Sequence, residues 1–231
     1  MISAGAQVIG PGDAIAALPD NGEVRVGAGV IADERLLRTV KAGIPRQTRT
    51  GKLWTEGRSK RYIPCVGDNV IGMVIDRHSE NLILDIGGPF PAVLNSLAFE
   101  GATRRNRPKL GEGDLVYARV TLAHKDVDTE LSCTEVSGKA GGYGPLKEGL
   151  TINCSSALAR RLLAAPPAPV LAALGQTLEY EIAVGQNGCI WIDAPAPASA
   201  VLIANAIERS EFLDEDQVKL SIQKLTSRME A

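Results

Sequence analysis

Apolar and polar residues alternate along much of the first 140 residues, and this alternation predicts β-strands. The clearest case is residues 113–122, which begin with a Gly-Asp turn. Successive side chains of a strand point to opposite faces, so every second residue shares a face. The positions predicted to be buried are Val116, Ala118, Val120 and Leu122. The positions predicted to meet solvent are Leu115, Tyr117, Arg119 and Thr121.

Four further segments complete a set of five predicted strands. The segment 66–75 also begins with a Gly-Asp turn and continues in β-branched and apolar residues, as strands do. The other three are shorter: 81–88, 91–94 and 129–136. Five short strands in this length fit an OB-type barrel, a fold that often holds oligonucleotides against one face.

A different pattern follows the glycine-rich segment 138–148, which is predicted to be a linker. A short strand at 150–154 leads to Ser155-Ser156, which is predicted to supply the N-cap of the first helix. A second helix at 170–174 is predicted to end at Gly175. Two strands joined by the Asn187-Gly188 turn and a helical end complete the order strand, helix, helix, strand, strand, helix, which is that of a KH domain.

Residues 1–62 are predicted to form another small β-domain, because their dense glycines argue against helix. Between Lys41 and Tyr62, seven basic residues stand against one acid, Glu56. Such a run is either a solvated face or a specific contact surface. Trp54 lies within it, and an exposed indole among cations suits a stacked base or a protein partner.

Short motifs along the barrel segment occur in a familiar order: Gly67-Asp68, 71–74, 85–87, 99–103, 105–108 and 113–117. In that order they resemble the S1-type barrel of the exosome component 3 family, also called ribosomal RNA-processing protein 40. The segment Gly185-Gln-Asn-Gly, with Trp191 after it, is similar to a Gly-x-Asn-Gly signature of exosome cap proteins. The resemblance thus covers nearly the whole chain.

The pattern and the resemblance together predict a multi-domain protein, mainly β, with a C-terminal α/β unit. An N-terminal β-domain occupies 1–62 and a five-stranded S1-type OB barrel occupies 63–137. The linker at 138–148 then leads to a KH-like domain at 149–231. The resemblance implies that the N-terminal domain docks on a ring of neighbouring subunits.

The connection 103–109 is the main candidate for RNA contact, since it carries four basic residues and no acid: Arg104, Arg105, Arg107 and Lys109. Arginine grips phosphate in a bidentate way, and each neutralised phosphate releases counterions. Lys125, beside His124 in a later turn, is predicted to extend the patch, although a lone loop histidine is also explained as simply solvated. The loop could instead only confer solubility or pair with a protein partner.

Aromatic residues make up only 4% of the chain, so stacking platforms for bases are scarce. The candidates near the loop are Phe90, Phe99 and Tyr117, each of which could equally belong to the core. RNA binding is therefore expected to follow the backbone, with weak sequence preference and strong salt dependence.

The signature residues Gly185, Asn187, Gly188 and Trp191 have two interpretations. They form either a structural turn with a packing indole or an RNA clamp, and we favour the structural turn because an Asn-Gly turn needs no ligand. Ordinary KH domains clamp nucleic acid with a Gly-x-x-Gly loop between their first two helices. Here that place holds Pro166, Pro167 and Pro169.

Composition limits the remaining functions. A formal net charge of −2 does not indicate a nucleic-acid binder, so RNA contact must be local. The chain has four widely spaced cysteines: Cys65, Cys133, Cys154 and Cys189. Their spacing suggests neither a zinc site nor a disulfide framework, and no metal or cofactor is expected. His78 and His124 fall in different turns, and no phosphate-binding loop is present, so no enzyme is predicted. No apolar run approaches the roughly 20 residues of a membrane span.

By resemblance, the chain is a non-catalytic RNA-binding cap subunit of the RNA exosome. Such a subunit sits with other S1/KH cap subunits on a ring of RNase PH-like subunits and guides single-stranded RNA into a central channel for 3′ to 5′ processing and degradation. The expected location is the nucleus and nucleolus, also the cytoplasm. Two alternatives stay open: a free-standing RNA-binding module acting in translation or as an RNA chaperone, and a nuclease using acidic pairs such as Asp126 and Asp128.

Overall fold

The computed structural model describes residues 7–18, 24–48, 51–57, 61–124, 126–164 and 168–226. The chain divides into two compact units, Met1–Ser59 and Lys60–Ala231. The larger unit contains both the barrel and the KH-like fold, which are therefore packed together.

The first unit is a small β-structure, as its glycine pattern predicts. Three strands form an antiparallel sheet in the order β1-β3-β2: β1 (Ala14–Ala17), β2 (Val30–Asp33) and β3 (Leu36–Thr39). Two more form an antiparallel hairpin: β4 (Ile44–Gln47) and β5 (Leu53–Glu56). Val30, Leu37 and Leu53 make its buried core, and the hydroxyls of the buried Thr39 and Thr55 lie 3.0 Å apart.

The barrel is built from five strands: β6 (Asn69–Arg77), β7 (Asn81–Asp85), β8 (Ala92–Phe99), β9 (Leu115–His124) and β10 (Val127–Cys133). Strand β6 pairs with β7 and β9, β7 pairs with β8, and β10 pairs with both β8 and β9. This ring of ladders closes the sheet, so the predicted five-stranded barrel is confirmed.

The predicted alternation along β9 is right for its first three inward positions and wrong for the fourth. Val116, Ala118 and Val120 are fully buried, whereas Leu122 is 38% exposed. Leu122 lies near the end of β9, beyond Arg119, which is the last β9 residue that pairs with β6. An inward position there meets solvent instead of the core.

The KH-like fold has the predicted order of elements. Its strands are β12 (Leu150–Asn153), β13 (Glu181–Val184) and β14 (Cys189–Asp193), paired antiparallel in the order β12-β14-β13. Its helices are α1 (Ser156–Leu162), α2 (Pro169–Leu174), α3 (Pro197–Arg209) and α4 (Glu215–Thr226). Ser155 caps α1, since its Oγ accepts a hydrogen bond from the Leu158 amide at 3.1 Å, and Gly175 follows the last residue of α2.

The predicted linker contains structure that ties the two folds together. Residues Gly144–Leu146 form β11, which pairs antiparallel with the start of β9. Tyr143, just before it, packs against the barrel core and donates a hydrogen bond to Asn69 at 2.8 Å. Residues 143–146 of the segment are therefore part of the barrel wall.

Candidate nucleic-acid interface

The basic loop 103–109 lies beyond the end of β8 and is held in shape by its own backbone. Thr103 and Asn106 exchange amide-to-carbonyl hydrogen bonds of 2.9 and 3.1 Å. The Arg107 guanidinium donates to the carbonyl of Ser79, which lies in the turn joining β6 and β7. Arg107 therefore anchors the loop to the neighbouring turn.

The three other predicted cations of the loop are exposed: Arg104, Arg105 and Lys109. Within the described part of the chain, their side chains form no ion pair and donate no hydrogen bond. Their positive charge is thus uncompensated and open to a ligand. Guanidinium groups bind phosphate and carboxylate groups in a bidentate way, so the loop suits an RNA backbone or an acidic protein partner.

A groove of about 410 Å³ separates this loop from the β6–β7 turn. The residues that shape it are Ser79, Glu80, Asn95, Leu97, Arg104 and Arg107. OB-type folds bind oligonucleotides on the face of their second and third strands and through the loop between the first two. The groove lies where β8 and that loop meet, so Arg104 is placed at the rim of the surface that this fold uses for nucleic acid.

The other predicted RNA contact, Lys125, lies outside the described residues. Its neighbour His124 is the last residue of β9 and pairs with Val127 at the start of β10. Two residues later in β10, Thr129 pairs with Ala92, the first residue of β8, so His124 lies at the end of the barrel where β8 begins. The basic loop follows the opposite end of β8. His124 therefore does not extend the loop's patch, and its Nδ1 lies 3.6 Å from the Asp126 carboxylate.

The three aromatic candidates are placed away from the groove lining. Phe99 is only 8% exposed and belongs to the barrel core. Tyr117 packs on Tyr143, with ring centroids 5.3 Å apart, and its hydroxyl donates to the Val184 carbonyl. Phe90 is 67% exposed but precedes β8, at the barrel end of His124.

The signature turn 185–188 docks on the barrel strand β6. The Gln186 amide donates to the Asn69 carbonyl at 2.7 Å, and the Asn69 amide donates back to the Gln186 side chain. Asn187 Nδ2 donates to the carbonyls of Ile71 at 2.8 Å and Ile86 at 3.0 Å. The Asn187 oxygen also accepts a longer hydrogen bond, 3.4 Å, from the Ile71 amide.

Both glycines of the turn are required by close approach. Gly188 has a φ of +84°, and a Cβ there would lie 2.4 Å from the Cys154 carbonyl oxygen. A Cβ on Gly185 would lie 3.0 Å from the Ile71 amide nitrogen of the barrel. A side chain at either position would separate the turn from β6 or from β12.

Trp191 completes the same interface from the middle of β14. It is 6% exposed, and its indole nitrogen donates to the Glu148 carbonyl at 2.6 Å. It packs with Ile71 and Ala183 in a cluster that also includes Leu115 and Tyr117. The donors of the turn and the indole are thus used within the protein, which supports the structural interpretation of the signature over an RNA clamp.

The outward face predicted for β9 was wrong in part, because the KH-like fold covers it. Leu115 and Tyr117 are half-buried against Trp191 and Ala183 instead of meeting solvent. Asn69 and Tyr143, which sequence reasoning did not single out, join Gln186 and Asn187 of the signature turn in the hydrogen bonds at this interface. Only the Asn187-Gly188 motif gave a local signal for it.

In the first unit, part of the predicted basic run is neutralised. The Arg46 guanidinium pairs with Glu56 at 2.8 Å across the β4–β5 hairpin, and Trp54 stands directly opposite Arg46 and is half-buried. Three cations of the run, Arg49, Arg58 and Lys60, lie outside the described residues.

Burial makes two of the thiols poor nucleophiles. It raises the pKa of Cys133 to about 12 and, helped by the nearby Glu211 carboxylate, that of Cys154 to about 11. The described residues contain no group of three or more His, Cys, Asp or Glu side chains suited to a metal ion. None of the helices in the described part of the chain is both long and apolar enough to cross a bilayer.

Comparison with known proteins gives a consistent result. Residues 62–144 match the model of the exosome complex component RRP40 S1 domain, and residues 149–198 match a KH domain model. The chain is 42% identical to exosome complex component rrp40 of Schizosaccharomyces pombe, with 90% of each chain covered. It is 40% identical to RRP40 of Drosophila melanogaster, with 91% of each covered. With human RRP40 it shares 38% identity over 76% of this chain and 64% of that protein.

A solved structure of a protein described as a candidate exosome complex RNA-binding protein has the same fold. It superposes with a TM-score of 0.61 at 23% identity and covers 74% of this chain and 100% of that one. The fold, the matched S1 and KH models and relatives aligned over nine tenths of their length agree with one another. The chain belongs to the RRP40 family of exosome complex components.

Proposed function

We propose that this protein is a non-catalytic RNA-binding cap subunit of the RNA exosome. It sits with other S1/KH cap subunits on a ring of RNase PH-like subunits, in the nucleus, nucleolus and cytoplasm. There it helps to assemble the ring and guides single-stranded RNA into the central channel for 3′ to 5′ processing and degradation. Membership of the RRP40 family supports the exosome part of the proposal.

The observation that carries the RNA part is the uncompensated charge on the loop 103–109. Arg104 lines a groove on the OB-type binding surface, Arg105 and Lys109 are exposed in the same loop, and no described acid pairs with any of the three. Each is free to neutralise a phosphate of a passing strand. With no candidate aromatic in the groove lining, contact is to the backbone, which suits a channel that must accept any sequence.

The positions of the two histidines support a non-catalytic role. His78 follows β6 and lies 3.6 Å from Asp76, while His124 ends β9 at the other end of the barrel. They are therefore too far apart to act as an acid and base pair on one phosphodiester. Incubation of the purified chain with labelled oligouridine and Mg²⁺ tests this directly: we expect intact RNA, and cleavage lost on mutation of either histidine would contradict it.

The RNA contact is tested by Arg104→Gln with Arg105→Gln, measured as oligouridine affinity of the chain assembled with its ring. Each lost phosphate contact removes about 0.7 from the slope of log K against log salt for single strands. The double variant should reduce the steepness of this slope by about 1.4. If variant and wild type bind equally at about 1 M salt, the variant should then bind roughly 25-fold more weakly than wild type at about 0.1 M.

A matched control removes two exposed cations from the KH-like fold, Arg209→Gln with Lys219→Gln. It changes the net charge equally and should leave the slope unchanged. If both double variants weaken binding alike, RNA responds to overall charge and the loop has no specific role. If neither does, the loop contacts protein or only solvent.

Membership of the assembled particle is tested by the native mass of the complex that carries a tagged copy of the chain in its own cells. Recovery with RNase PH-like subunits supports the cap role. Recovery as a monomer, or on ribosomes, would instead favour a free-standing RNA-binding module. The loop variants can also be compared on the purified chain alone, so the two parts of the proposal can fail separately.

A further inference from the structure

A groove lies at the end of the KH sheet that is remote from the barrel-docking turn. At this end β13 begins with Glu181, β14 ends with Asp193, and Glu148 precedes β12 by two residues. The turn 185–188, which grips the barrel, joins the other ends of β13 and β14. The groove therefore lies at the opposite end of the KH sheet from the turn that grips the barrel, and only the backbone carbonyl of Glu148, which accepts from Trp191, is shared with that interface.

The groove has an apolar half and a polar half. Its two adjoining cavities, of about 420 and 540 Å³, share Glu148, Asp193, Ala194 and Pro195. The first is lined by Leu150 and by Val201 of α3, which is 51% exposed. The second is lined by Glu179, Tyr180 and Glu181. An extended segment of a few residues fits such a volume.

Four carboxylates line the groove: Glu148, Glu179, Glu181 and Asp193. Among the described residues, no side chain forms an ion pair or hydrogen bond with any of them, and the adjacent Lys147 makes no ion pair either. The start of α3 contributes only about half a positive charge through its helix dipole. The groove therefore keeps a clear excess of negative charge.

The backbone register adds an independent sign that a cation belongs here. Glu181 and Asp193 are directly opposite each other in the β13–β14 ladder. Like charges in that position destabilise a sheet, and the residues on either side of the pair offer no compensation. A positively charged group bound between the two carboxylates would relieve the repulsion.

We propose that this groove is a docking site for a protein segment in which an aliphatic side chain is flanked by lysine or arginine. The aliphatic side chain packs against Leu150 and Val201, and the flanking cations meet the Glu181 and Asp193 carboxylates. The phosphates of RNA would be repelled by the same four charges. The KH-like fold thus presents a protein-binding groove in place of a nucleic-acid clamp.

The test uses the purified full chain and a fluorescent peptide of sequence Lys-Arg-Val-Leu-Lys-Arg, with binding followed by anisotropy at about 0.1 M salt, where surface charges are only partly screened. Glu181→Gln with Asp193→Asn removes the opposed charges and keeps the side-chain shapes. We expect it to weaken peptide binding about fivefold or more, the combined effect of two exposed ion pairs. The same variant should melt slightly higher than wild type without peptide, because the repulsion is gone.

Two controls separate this site from general charge attraction. Asp126→Asn with Asp128→Asn changes the net charge equally in the β9–β10 hairpin of the barrel and should not alter binding. A peptide with serines in place of valine and leucine should bind more weakly to wild type, and Val201→Lys should weaken the original peptide.

Three outcomes would overturn the proposal. One is an absence of peptide binding to the wild type. Another is equal weakening by the groove and barrel double variants, which would show general attraction to an acidic protein. The third is a loss of oligouridine affinity in the groove variant, which would make the groove an RNA site.

Discussion

The side chain of Asn187 offers the most direct test of what holds the barrel and the KH-like fold together. Asn187→Ala removes the donors to the Ile71 and Ile86 carbonyls and the acceptor for the Ile71 amide. Two of these hydrogen bonds are short, at 2.8 and 3.0 Å, and one is long, at 3.4 Å. At about 1 kcal/mol for each hydrogen bond, the expected loss of unfolding free energy is about 2–3 kcal/mol.

Scanning calorimetry of the full chain measures this loss. For chains of this size, 1 kcal/mol lowers the melting temperature by about 2–4 °C, so the transition of the Lys60–Ala231 unit should fall by about 4–12 °C. The matched control is Asn205→Ala, because Asn205 is exposed on α3 and its amide donates only to the Val201 carbonyl of its own helix. Alanine favours helix, so the control should melt at or slightly above the wild-type temperature.

RNA affinity must be measured on the same Asn187→Ala protein. The structural interpretation predicts a lower melting temperature and, below that temperature, unchanged oligouridine affinity. An unchanged melting temperature with lost RNA affinity would refute it and make the turn 185–188 an RNA clamp. A change equal to that of Asn205→Ala would show that the contacts with β6 contribute no net stability.

Three further predictions concern other positions. Gly188→Ala should lower the melting temperature clearly more than Gly138→Ala, since both glycines have positive φ, at +84° and +83°, but only Gly188 is crowded by the Cys154 carbonyl. Arg107→Gln should speed hydrogen exchange of the amides in 103–109, whereas Arg104→Gln should not, because only Arg107 is bonded to Ser79; equal rates would contradict the anchoring role. The pKa of Cys133, raised by burial to about 12, leaves its thiol neutral at pH 8, so maleimide should label exposed Cys65 first; early labelling of Cys133 would show that the barrel opens.

The barrel could be predicted from sequence because its signal is local. Inward positions of β9 recur every second residue, and a buried core selects apolar side chains at each of them. Val116, Ala118 and Val120 follow that rule without exception. The N-cap at Ser155 and the hairpin turn at Asn187-Gly188 are equally local, since each depends on the preferences of a few adjacent residues.

The outer face of the barrel could not be predicted in this way. Alternation shows that Leu115 and Tyr117 share a face opposite to the core, but it does not show whether solvent or another fold covers that face. Tyr117 donates to Val184, which lies 67 residues later in the chain. A contact between residues so distant leaves no period in the sequence, so the interface emerged only from the structure.

The interface and the candidate RNA surface use opposite ends of one strand. Asn69 and Ile71, near the start of β6, hold the turn 185–188, while the turn after Arg77 carries the carbonyl that anchors the basic loop. Over nine residues the strand spans about 26 Å, which is several times the screening length of about 8 Å at physiological salt. Charge changes in the loop should therefore leave the interface stability unaffected, and loss of the Asn187 contacts should leave the loop's salt slope unaffected. On the proposed function, the KH-like fold fixes the barrel in place and the far end of the barrel meets RNA.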